Sequence, residues 1–132
     1  MARVSSSGSG GAGGSPQANS VYTYNEVTNV NPGIETTIVT YTAPSGVNTY
    51  LQFATVSSTN VSIFLIYVNS SLVGKKYGSY TQYNVDFEYF TGNTTAPGIT
   101  LNTGDVVKVT AIQNQTTTAN FDAVIQSLEV EI

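Results

Sequence analysis

VSIFLIYV, Val61 to Val68, is the stretch that decides the fold. Apart from Ser62 its residues are β-branched, aliphatic or aromatic, and a run of this length suits a strand rather than a helix. Apolar side chains fall on both faces of such a strand. That predicts a central position in the core, covered on each side by another sheet, an arm or a partner subunit. The longest uninterrupted apolar run, Ile63 to Val68, is far too short to cross a bilayer.

Working outward, NSS at Asn69 to Ser71 turns the chain into SLVGKKY, where Lys75 and Lys76 mark an edge strand because lysines discourage pairing between sheets. Upstream, TYLQFATV (Thr49 to Val56) reads as a strand with Leu51 and Phe53 on one face, preceded by the turn APSG and by the strand ETTIVTYT, Glu35 to Thr42. The turn NPG, Asn31 to Gly33, separates that strand from VYTYNEV, Val21 to Val27. Downstream, QYNVDFEYF alternates, with Tyr83, Val85, Phe87 and Tyr89 on one face and Asn84, Asp86 and Glu88 on the other. The loop TGNTTAPG follows, and a Gly104-Asp105 turn leads into VVKVTAIQ, with Val107, Val109 and Ala111 on one side. In the closing FDAVIQSLEVEI, the alternation reads as Leu128, Val130 and Ile132 inward, Glu129 and Glu131 outward. Eight or so strands without helical crossovers predict an all-β, antiparallel two-sheet sandwich of jelly-roll connectivity.

In front stands MARVSSSGSGGAGGSPQ, a Gly/Ser run that cannot bury enough apolar surface to offset the entropy of ordering it. Residues 1–20 are therefore expected to form an extended arm that takes its shape on another polypeptide, and residues 21–132 the sandwich. Arg3, Val4, Val21, Tyr22 and Tyr24 are the candidate partner-binding residues of this segment. Arg3 would meet an acidic site, and Val21, Tyr22 and Tyr24 would add a strand or cover an edge.

Composition narrows the function. Only 9% of the residues are charged and the net charge is −4, so the clustered cations of a nucleic-acid binder are missing and repulsion between copies is weak. There is no Cys and no His, which removes the thiolate nucleophile, the imidazole base and the usual metal imidazole together. The spacing G-x-G-x-x-G at Gly8, Gly10 and Gly13 lacks the strand and helix that a dinucleotide site requires. Asp86 and Glu88 stand about 7 Å apart on a strand, as in glycosidases, but alternation predicts a solvated face for them and for Glu129 and Glu131. Calcium at Asp86, Glu88 or Asp105 would need more closely spaced oxygens. No catalytic, cofactor or metal site is expected. Tyrosine is the one enrichment, with nine copies, and Tyr77, Tyr80 and Tyr83 are candidate glycan or interface aromatics.

The stretches NEVTNVNPGIETTIVTYTAPSG, TYLQFATVSSTNVSIFLIYVNSSLVGKK, ITLNTGDVVKVTAIQNQ and FDAVIQSLEVEI together resemble small β-sandwich virion proteins of tailed bacteriophages, over Asn25 to Ile132. The resemblance implies a non-enzymatic, multimeric jelly roll fixed to a capsid, neck or tail by its terminal arm. Its partners would be copies of itself, with a trimer expected, and a larger shell or tail protein. Neither nucleic acid nor membrane is an expected partner, and the chain would be made in the host cytoplasm and reside in the virion. The alternative from another class is a carbohydrate-binding or receptor-binding module, against which the absence of Trp counts.

Overall fold

The computed structural model describes residues 2–7, 17–78, 81–89 and 98–132, and for the strands at 2–7 and 81–89 the course and pairing of the backbone. Alternating β-branched and aromatic residues set most of the strands, while β1 forms in the leader without that pattern. In chain order these are β1 (Ala2–Ser7), β2 (Ala18–Val30), β3 (Thr36–Thr42), β4 (Val47–Ser58), β5 (Ser62–Val68), β6 (Ser71–Gly78), β7 (Thr81–Tyr89), β8 (Ile99–Leu101), β9 (Val106–Gln113) and β10 (Ala119–Glu131). One sheet runs β1-β2-β10-β4-β7, with β8 also pairing β4; the other runs β3-β9-β5-β6. Every pairing is antiparallel. Setting aside β1 and β8, this order of two four-stranded sheets is that of a jelly roll.

The core lies between the sheets. Val21, Leu51, Ala54, Val56, Phe121, Ala123 and Ile125 of one meet Ile38, Val39, Phe64, Ile66, Val107, Val109 and Ala111 of the other. Phe64 and Phe121 join the layers edge to face, their ring centres 6.3 Å apart at 82°. As expected, β5 is central and β6 is an edge strand.

Three details of the sequence reading are corrected. The sandwich begins before Val21, because Ala18, Asn19 and Ser20 already pair with Val130, Glu129 and Leu128. In β4 a bulge beside Gln126 and Ser127 pairs Phe53 with Gln126 and Leu51 with Ser127, so the extra residue turns Phe53 away from the buried Leu51. In β10 the inward parity of Phe121, Ala123 and Ile125 continues unbroken to Ser127 and Glu129, which are buried; Leu128 and Val130 face outward and Ile132 is exposed. Within one chain β5 is covered by the opposite sheet on one face, which leaves its other face for the arm or partner subunit that the sequence reading allowed. Phe64 and Ile66 are buried, while Ile63, Leu65 and Tyr67 remain half-exposed.

Turn chemistry follows the sequence closely. Gly33, Gly46 and Gly104 have φ of 80°, 85° and 88°, and Asn69 adopts 55° in its turn. Asn69 and Asp105 then tie two turns at the same end of the sandwich. Asn69 Nδ2 donates to Asp105 Oδ1 (3.1 Å), Asn102 N to Asp105 Oδ2 (2.8 Å) and Val106 N to Asn69 Oδ1 (3.0 Å). The Asn69 and Asn102 donors hold the Asp105 carboxyl below the usual aspartate range. A depressed folded-state value means that this stabilisation is complete above the unfolded-state pKa and is lost as pH falls through the folded one. Thermal melts at neutral and strongly acidic pH should therefore show a smaller acid-induced drop in Tm for Asp105→Ala than for the wild type. Equal drops would remove Asp105 from the acid response.

Candidate functional site

The outer face of the four-stranded sheet is the first surface of interest. Register aligns Ile112, Ile63 and Tyr77 in one row across β9, β5 and β6, and Thr110, Leu65 and Lys75 in the next. Ile63, Leu65 and Ile112 are half-exposed and Tyr77 is 70% exposed. One edge of this face is locked in place. Lys108 Nζ lies 4.9 Å from the centre of the Tyr67 ring, while Glu35 Oε2 accepts from Tyr67 Oη (3.0 Å) and Thr110 Oγ1 (2.8 Å). Burial, and next the bond to Glu35, raise the Tyr67 phenol above its ordinary value. It stays a neutral donor.

The opposite outer face, on the six-stranded sheet, is built from β2, β10 and β4. Its rows are Tyr24, Val124 and Thr55; Ser20, Leu128 and Tyr50; and Glu26, Asp122 and Ser57. The last row opens into a notch of about 240 Å³ lined by Glu26, Ser57, Ser58, Thr59, Asn120, Phe121 and Asp122, with no cationic side chain. Ser57 Oγ donates to Asp122 Oδ1 at 2.6 Å, and Tyr24 Oη to Glu26 Oε2 at 3.4 Å. Burial, followed by the charges of Asp122 and Glu26, raises the Tyr24 phenol. Glu26 and Asp122 stand directly opposite each other across two strands, an arrangement that costs stability through repulsion and attracts positive charge.

The residues singled out from sequence are scattered. Arg3 and Val4 lie in β1, opposite Thr23 and Tyr22 of the same chain. The leader was expected to take its shape on another polypeptide, but for Ala2–Ser7 the partner is within the chain: the long β2 has an edge beyond β10, and the six residues of β1 pair with its backbone there. Val21 is 0% exposed and packs in the core, so its role as a partner contact is withdrawn. Tyr22 and Tyr24 are exposed on the outer face. Tyr80 lies outside the described residues, as does loop 91–97. Tyr77 on β6 and Tyr83 on β7 belong to strands of different sheets, so no single sheet face carries both. A bulge in the β7 pairing falls between Asp86, opposite Thr55, and Glu88, opposite Ala54, interrupting the regular spacing expected there.

Sequence reasoning also missed a polar seam inside the sandwich. Tyr41 Oη donates to the buried Glu129 Oε2 at 2.6 Å. Thr49 is opposite Glu129 on the neighbouring strand, and Ser127 precedes it on the same face. The hydroxyls of Thr23, Thr49 and Ser127 are buried without a partner among the described residues, a cost the fold carries at roughly 1–3 kcal/mol for each such group.

Comparison with protein-family models, with curated proteins and with solved structures returned no match.

Proposed function

We propose that this chain is a non-enzymatic structural protein of a virus particle, an oligomeric building block of the tailed-bacteriophage type attached to a capsid, neck or tail. One observation carries the reading: the apolar row Ile112, Ile63 and Tyr77, with Leu65 beside it, lies on the outer sheet face, its aliphatic members half-buried and Tyr77 70% exposed. Contiguous part-exposed apolar surface of this kind marks protein contacts, and an open sheet face suits a protein partner better than a small substrate. The jelly roll itself adds only an analogy at the level of fold, since viral coat proteins and lectins share it. The leader fits an attachment role as well. β1 ends its sheet, and its outer edge, unpaired among the described residues, can accept a further strand.

The test is incorporation. Tagged full-length chain, produced in cells assembling its parent particle, should co-sediment with the particles, whereas a chain lacking residues 1–16 should fold and stay at the top of the gradient. The cut spares Ala18–Ser20 because they pair with β10. Absence of the full chain from the particles, or equal incorporation of the truncated one, would overturn the proposal. The exposed ring of Tyr77 supports a second reading, a glycan-binding module, for which saturable glycan-array binding lost in Tyr77→Ala is the criterion.

A further inference from the structure

We propose that the chain assembles head to tail, the outer face of the four-stranded sheet of one copy docking on the outer face of the six-stranded sheet of a second copy. The inference deepens the structural-protein reading, on which it rests for its biological setting, by naming the surfaces that meet.

Charge is divided between the two sheets. β3, β9, β5 and β6 contain Lys75, Lys76 and Lys108, three of the chain's four cations, and no Asp or Glu. The six-stranded sheet contains Glu26, Asp86, Glu88, Asp122, Glu129 and Glu131, six of the eight carboxylates, with Arg3 its one cation. Not all of these face outward, Glu129 being buried. The outer faces nevertheless keep the same polarity. Lys75 shares the face of Leu65, and Lys108 that of Tyr67; on the opposite side of the molecule stand Glu26 and Asp122. Glu35, in the turn before β3, is the carboxylate that reaches the basic face, and it is engaged by the hydroxyls of Tyr67 and Thr110.

Both faces also offer apolar surface for water to leave. Ile63, Leu65 and Ile112 stand on one, and Tyr22, Tyr24, Val124, Leu128 and Tyr50 on the other. Four strands at ~4.8 Å spacing and about seven residues at ~3.4 Å rise cover roughly 450 Å² in projection. Two such faces bury about 900 Å², below the standard size of a specific contact and in the range of weak, reversible association.

Polarity chooses the direction. Pairing two four-stranded faces sets Lys75 and Lys108 against their own copies, and pairing two six-stranded faces sets Glu26 and Asp122 against theirs. Each carries a like-charge penalty that the mixed contact avoids. The outer faces of the two sheets of a sandwich point apart, so the contact repeats as an open stack instead of closing into the trimer expected from sequence.

Sedimentation velocity on the purified full chain tests this. Average mass should rise with concentration past three chains at about 20 mM NaCl and fall toward the monomer at about 500 mM, where screening is strong. Lys75→Glu with Lys108→Glu, or Glu26→Lys with Asp122→Lys, should each weaken association about tenfold or more. Mixing the two double variants should restore long assemblies, and so should all four substitutions in one chain, because every contact then pairs opposite charges. A symmetric contact would yield only a dimer from the mixture and nothing from the fourfold variant. Circular dichroism checks folding, and Lys75→Glu alone, at an exposed edge position, supplies the test if Lys108→Glu does not fold. A monomer under all conditions, a salt-insensitive closed oligomer, or unchanged assembly after reversal of one face would overturn the proposal. Incorporation into particles without self-association would sink the stack and spare the structural-protein reading; self-association without incorporation would do the reverse.

Discussion

Phe64→Ala should cost about 3–5 kcal/mol of unfolding free energy, the range for removing a large aromatic from a packed core. Phe64 is 1% exposed on β5, at the centre of the four-stranded sheet, and its ring meets Phe121 of β10 in the six-stranded sheet. It is therefore a direct link between the layers. The space around it is already filled, since a Cβ added at Gly78 on the neighbouring β6 would run into the ring. Truncation leaves a void that two hydrogen-bonded sheets cannot easily close, because neither backbone can move in without disturbing its own ladder. Urea denaturation provides the check, with Phe64→Leu expected to cost less because more of the volume remains. A loss under about 1 kcal/mol for the alanine variant would mean that the sheets collapse onto the void and that the aromatic pair does not hold them together.

Gln113→Leu is the second large effect, expected at about 3 kcal/mol from several polar groups losing their partners at once. The Gln113 side chain is buried at the end of β9 and uses its full bonding capacity: Nε2 donates to Val30 O (3.1 Å) and Thr117 O (2.8 Å), while Oε1 accepts from Asn60 Nδ2 (3.2 Å) and Gln115 N (2.9 Å). One amide thus joins the end of β2 and the turn between β4 and β5 to the loop before β10. Leucine matches the size but leaves two carbonyls, an amide N–H and the Asn60 side chain short of a bond. Ser127→Ala serves as the control, because its hydroxyl is buried without a described partner and its removal should leave stability unchanged or raise it by up to the roughly 1–3 kcal/mol that such a group costs. Denaturation of both variants, with amide exchange at Gln115 to follow the loop, distinguishes a loss of hydrogen bonds from a general loss of packing. A near-neutral Gln113→Leu would show that water takes over those bonds.

Seen from the sequence, the local features of this protein are the legible ones. Alternation marks the strands, Gly33, Gly46, Gly104 and Asn69 mark turns that need positive φ, and the lysines of β6 mark an edge. Each depends on residues a few positions apart, where steric and period-two rules act directly. Facing is different. The set Phe121, Ala123 and Ile125 and the set Leu128 and Val130 are both apolar, so β10 read alone permits either face at its end, and pairing with β2 and β4 selects the one that buries Glu129 against Tyr41. The bulge that turns Phe53 outward, the uncovered side of β5 and the opposition of Glu26 to Asp122 arise in the same way, from register between strands distant in the chain. Sequence by itself determined that this chain makes short antiparallel strands around an apolar centre. Tertiary structure decided which side of each strand meets water and gathered the lysines on one sheet and most carboxylates on the other, because period-two alternation defines two faces without saying which is inside.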